Sequence, residues 1–142
     1  MADLAAAHGI RVGMEHLNTG ETNNLNTVTD TYAFVQKVKN GRPADAPVPG
    51  ITMDTYHVTK ENEPLKAILP LFGAVYHCHT AHPDGRGPVT AEDLPYLCAV
   101  MGGLMAAGYN GRFSLECGLP DYEKDGACAL AVLRAAAAVC EL

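Results

Sequence analysis

Four short apolar runs constrain this chain more than any other feature. Each finishes on a carboxylate or an imidazole, and each is followed by a helical stretch. They are IRVGME (10–15), PGITMD (49–54), GAVYHCH (73–79) and RFSLE (112–116). Each is rich in branched or aromatic side chains and bounded by Gly, Pro or Asn, as buried strands are. In 26–40, Val28, Tyr32, Val35 and Val38 recur at helical spacing, with Asn26 placed to cap. A shorter helix is expected over 62–73, with a proline early in it. Segment 90–108 opens on Thr90 and Asp93, a capping box with Asp in place of Glu, and closes at Gly108. An alanine-rich helix is expected over 121–142. Upstream, ADLAAAHG reads as the last turns of a helix closed by Gly9, so further units are expected in front of it.

Repeating βα units imply an α/β fold with a parallel sheet and right-handed crossovers. Two architectures satisfy that, an open doubly wound sheet and the (β/α)8 barrel. The barrel takes about 250 residues, and this chain has 142. Four units are then half of a TIM barrel, a single partial domain over 1–142. Such a half leaves two strand edges open and an apolar face uncovered. The barrel reading therefore expects pairing with a second copy as a homodimer, or with a missing N-terminal half.

Composition excludes several classes of function. The net charge of −6 and scattered basic residues argue against a nucleic-acid surface. Five cysteines, an odd count without any CxxC, fit a reducing cytoplasm better than a disulfide framework. No apolar run reaches the roughly 18 residues of a membrane span, and no basic stretch precedes an apolar one as in a signal peptide.

The strand ends carry the chemistry. Glu15 ends the first run, Asp54 the second, His79 the third and Glu116 the fourth. In a parallel βα array all C-terminal strand ends share one face, where such folds place their sites. Any one acidic residue there reads equally well as a solvated loop residue or a helix cap. Four out of four point to a metal centre. Two glutamates, an aspartate and a histidine are a hard donor set. They suit one Mn²⁺, Mg²⁺ or Co²⁺ better than a structural zinc. His77, two residues before His79, faces the same side of the strand and is read as a satisfied buried histidine beside the ligand. Beyond the strand ends, Glu21, His57 and Arg86 are loop-borne polar groups on the same face, suited to the hydroxyls or phosphate of a small substrate. A plain ion pair with Asp84 is the alternative reading of Arg86.

The stretches GMEHLNTGETNNLNT, GITMDTYHV, VYHCHTAHPDGRGPV and GYNGRFSLEC resemble the C-terminal half of the xylose-isomerase-like sugar isomerases and epimerases, nearest the ketose 3-epimerase and sugar-phosphate isomerase/epimerase branch. The resemblance runs along almost the whole chain in the family's order. It implies the last four βα units of a (β/α)8 barrel with one divalent metal, Mn²⁺ foremost, held by Glu15, Asp54, His79 and Glu116. It implies substrate contacts from Glu21, His57 and Arg86. It also implies proton transfer next to a sugar or sugar-phosphate carbonyl through an enediolate, with Glu15 and Glu116 as the catalytic carboxylates. Two other classes are weighed against this. Apurinic endonucleases of the endonuclease IV type share the barrel and an Asp-Thr-x-His stretch like DTYH, but need more histidines and a basic groove. An inactive half-barrel fragment needing a missing N-terminal half is the other.

Overall fold

The computed structural model describes residues 1–140. Its centre is a four-stranded sheet, β1 (Gly13–Glu15), β2 (Gly50–Asp54), β3 (Val75–Thr80) and β4 (Phe113–Leu115), all parallel and in chain order. The expected run order stands. The flanking strands β1 and β4 are shorter than their apolar runs because each has a ladder partner on one side only. Single backbone bonds continue both ladders, from Gly50 N–H to Val12 O and from Glu116 N–H to Thr80 O.

The helices are α1 (Ala2–Ala7), α2 (Val28–Asn40), α3 (Thr55–Lys60), α4 (Leu65–Ile68), α5 (Leu94–Ala106) and α6 (Tyr122–Cys140). α1 closes before Gly9, whose φ of 67° is the left-handed turn expected there. α2 is capped by Thr27 and not by Asn26. Thr27 is extended, and its Oγ1 accepts from Asp30 N–H. The Asn26 amide instead donates to the Leu17 and Thr22 carbonyls. Opposite the same end, the Glu63 carboxylate accepts from Val28 N–H, Thr29 N–H and the Thr29 hydroxyl. The helix expected over 62–73 is two pieces, α4 and a 3₁₀ turn over Leu69–Ala74. Pro70 has no N–H to extend the α-helical ladder. The capping box at Thr90 and Asp93 is present. Of the helix expected over 121–142, the last two residues lie outside the described residues. Among the described residues no helix is long and apolar enough to cross a membrane.

Helices α2 to α5 lie in the crossovers between strands, α1 precedes β1 and α6 follows β4, and the core lies between strands and helices. Ile51, Met53, Val75 and Cys78 meet Val28, Val35, Val58, Ile68, Phe72, Val100 and Leu104. A second cluster joins α5 to α6 through Leu97, Met101, Ala129, Leu133 and Ala136. The opposite, concave face carries Arg11, Thr52, Tyr76, His77 and His79 around an open hollow of about 400 Å³. Ser114 meets His77 there. The expectation of an uncovered apolar face is therefore corrected: the uncovered face is polar and aromatic. A bulge contributes to this. Ile51 pairs with Val75 but Thr52 pairs with His77, so Tyr76 is extra. Its ring lies where a side chain on Gly50 would be, and the Arg11 guanidinium stacks 4.7 Å above it.

Candidate metal centre

Each of the four strands delivers one side chain to the same point. Glu15 is the last residue of β1, Asp54 the last of β2, and His79 the penultimate residue of β3. Glu116 immediately follows β4. One ligand-type atom from each lies within 4.8 Å of every other. His79 Nδ1 is 2.9 Å from Glu15 Oε1 and 2.6 Å from Glu116 Oε2. Register explains the convergence. Asp54 pairs with His79, while Glu116 sits two residues past Ser114, the partner of His79. Glu15 pairs with Thr52, two before Asp54. Parallel strands staggered in this way tilt their ends toward one centre.

Asp54 is the most confined member. Its side chain is fully buried. Oδ1 accepts Tyr56 N–H at 2.9 Å and caps α3, which leaves Oδ2 directed at the cluster. Burial pushes its carboxyl pKa up, against the lowering effects of Tyr56 N–H, His57 and Arg86. A buried carboxylate of this kind is stabilised by a cation.

Arg86 supplies one. Its Nη2 donates to Asp54 Oδ2 at 3.0 Å and is 3.2 Å from Glu116 Oε2. Its Nη1 is 3.6 Å from Glu21, and its Nε donates to the Glu116 carbonyl. No ion pair to Asp84 appears among the described residues. Glu21 Oε1 also accepts from the Asn18 amide. Glu21 and Arg86 thus reach the centre from their loops.

His57 sits one layer back. It is fully buried, so in this structure it does not reach the concave surface where a substrate contact was expected. Asn18 N–H donates to its Nδ1 at 3.2 Å, which makes Nε2 the protonated nitrogen. Nε2 lies 3.5 Å from Asp54 Oδ2. His16 completes the layer, its Nε2 accepting Asp54 N–H at 3.3 Å. Burial and His57 push the His16 pKa down to about 4. His77 is half-buried instead of buried. It meets the Ser114 hydroxyl at 3.0 Å and lies edge-on to His79, with burial and His79 lowering its pKa. Sequence reasoning missed Asn18, His16 and Tyr56. The adjacency of His16 to Glu15 and of Tyr56 to the DTYH stretch were the available signals.

The donor set fits one hard divalent ion. Three carboxylates and one imidazole converge, and a fully buried aspartate aims one oxygen into the cluster.

No protein-family model matches the chain, and no curated protein matches it. Solved structures do. An L-ribulose 3-epimerase superposes with a TM-score of 0.74 at 22% identity, covering 99% of this chain and 51% of that one. The 3-keto-D-glucoside 4-epimerase YcjR from E. coli, in its apo form, gives 0.71 at 24% identity, with 93% and 48% covered. A D-psicose 3-epimerase from Clostridium cellulolyticum H10, with D-tagatose, gives 0.69 at 22%, with 98% and 50% covered. The chain spans about half the length of these structures. The likeness establishes the fold: four parallel βα units matching half of a TIM-barrel epimerase chain.

Proposed function

We propose that the chain is the metal-bearing half of a divalent-metal-dependent sugar or sugar-phosphate epimerase or isomerase, built as the last four βα units of its barrel. The observation that carries this is the convergence of Glu15, Asp54, His79 and Glu116 at the C-terminal strand ends. The three epimerases with the same half-fold support it.

In this reading Glu15, Asp54, His79 and Glu116 would hold one Mn²⁺, with Mg²⁺ or Co²⁺ as substitutes. Such an ion supplies Lewis acidity that makes a C–H next to a carbonyl acidic. The protein does the rest. The Glu15 and Glu116 side chains are 30% and 46% accessible. One takes the proton and the other returns it. Return to the opposite face of the same carbon gives an epimer, and transfer to the adjacent carbon gives an aldose–ketose isomer. Glu21 and Arg86 orient the sugar hydroxyls or a phosphate. His57 stands behind Asp54, its Nε2 3.5 Å from the buried carboxylate. Completion of the barrel comes from a second copy or from an N-terminal half. An apolar hollow of about 420 Å³ beside β4, lined by Met105, Tyr109, Phe113 and Leu130, suits such a neighbour.

The test is native mass spectrometry with added Mn²⁺, followed by incubation with ketoses in D₂O. The expected result is one ion per centre and solvent deuterium at the carbon beside the carbonyl in the paired assembly. A chain that binds no Mn²⁺ under any pairing would overturn the reading.

A further inference from the structure

The guanidinium of Arg86 lies inside the candidate metal centre and not at its rim. Nη2 is wedged between two of the four ligand residues, 3.0 Å from Asp54 Oδ2 and 3.2 Å from Glu116 Oε2. Nη1 faces Glu21 at 3.6 Å. Among the described residues Arg86 is the one arginine or lysine with ion pairs to these carboxylates.

The arm is preset. Gly85 and Arg86 both have left-handed backbones, φ 66° and 52°. That conformation is unfavourable for arginine and persists only where its surroundings hold it. They do so here. Gly118 N–H donates to the Arg86 carbonyl, and His82 N–H donates to the Gly87 carbonyl, which pins the loop on both sides. The Tyr56 ring then takes the guanidinium at 5.0 Å from its centroid, a cation–π contact that aims the fork at the carboxylates. With the backbone fixed, the side chain can leave by its own torsions. It is 28% accessible, so it has an open route.

We infer that Arg86 is an intramolecular counter-cation that competes with the divalent ion for Asp54 and Glu116 and swings out of the centre when the ion binds. This rests on the metal reading above. A guanidinium and a divalent ion held by the same carboxylates would repel each other, and both would draw on Asp54 and Glu116. Arg86 therefore keeps a buried aspartate paired before loading. Once displaced, it is free on the concave side, where the same reading gives it to the substrate. Tyr56 is the positioning residue for this arm.

The experiment is Mn²⁺ binding by calorimetry and by the electron-spin signal of free Mn²⁺, on the wild type, Arg86→Gln and Tyr56→Leu. Circular dichroism checks the fold of each. The expected result is that Arg86→Gln binds Mn²⁺ tighter by on the order of tenfold. Tyr56→Leu, which leaves every carboxylate and the arginine in place, is expected to bind tighter by a smaller factor. Equal or weaker binding by Arg86→Gln, with the wild type binding normally, overturns the counter-cation role and leaves the metal reading standing. Absence of Mn²⁺ binding in all three proteins overturns the metal reading, and this inference with it.

Discussion

Acid should loosen this fold through His16 before it titrates the ordinary carboxylates. His16 is fully buried behind Asp54, its Nε2 accepting the Asp54 backbone N–H. Burial first, and His57 second, lower its pKa from 6.5 to about 4. Between those values the unfolded chain holds a proton that the native chain does not. Native stability is therefore complete above pH 6.5 and falls as the pH drops toward 4. The full difference is about 3 kcal/mol, of which about 2 kcal/mol is lost by pH 5. Asp54 works in the opposite direction. Its raised pKa lets the native state bind a proton above 3.8, so acid favours the fold through that group. Comparison with His16→Gln, which keeps Asp54 and an acceptor for its N–H, separates the two. The assay is urea unfolding at pH 7.5 and 5.0 with chelator present, so that metal release does not contribute. Between the two pH values the wild type is expected to lose about 2 kcal/mol more than His16→Gln. Parallel losses would refute the assignment of acid sensitivity to His16.

Three further outcomes follow from particular contacts. Gly50→Ala drives a Cβ into the Tyr76 ring; unfolding should show a loss of about 1–3 kcal/mol, partly recovered by adding Tyr76→Ala. Glu63→Ala removes three hydrogen bonds at the start of α2 from a residue far along the chain, and should cost about 1–2 kcal/mol by the same measurement. Glu116→Gln should keep the native circular dichroism, weaken Mn²⁺ binding by about tenfold or more, and abolish deuterium incorporation into a ketose; undiminished incorporation would remove Glu116 from the proton transfer.

What was legible in the sequence was whatever depends on strand order and strand direction. Once four apolar runs alternate with helices, parallel pairing sends every C-terminal end to one face. The residues that end the runs then meet whatever the loops do. Glu15, Asp54, His79 and Glu116 could be placed together for that reason. What was not legible depends on packing between distant segments. His57 looks loop-borne from DTYH, but Asp54 caps a helix at once, and α3 turns the His57 ring inward beneath Asn18. Asn26 and Thr27 are both good caps. Asn26 is taken because its amide closes the loop after Glu15. The bulge at Tyr76 has no local signature, since it exists to fit a ring over a glycine in the neighbouring strand.

The polarity of the concave face bears on how the two halves of such a barrel divide their work. In a complete barrel the interior is filled mostly by branched apolar side chains stacked in layers. Here Thr52, His77, His79 and Ser114 line it, with Tyr76 and Arg11 toward the far end. His77 bonds to Ser114 and lies edge-on to His79, and Arg11 stacks on Tyr76, all within the chain. The apolar residues of the same strands, Ile51, Met53 and Cys78, turn outward to the helices. The fold of this half therefore places little demand on a partner across its concave face. The demand lies at the edges, where β1 and β4 each leave one side of their ladder open and where the apolar hollow beside β4 lies. The four residues of the candidate centre all come from this chain, so under the proposed reading a partner is not needed to assemble it. Under the same reading the partner's contribution would be to close the edges and to wall the space above the candidate centre.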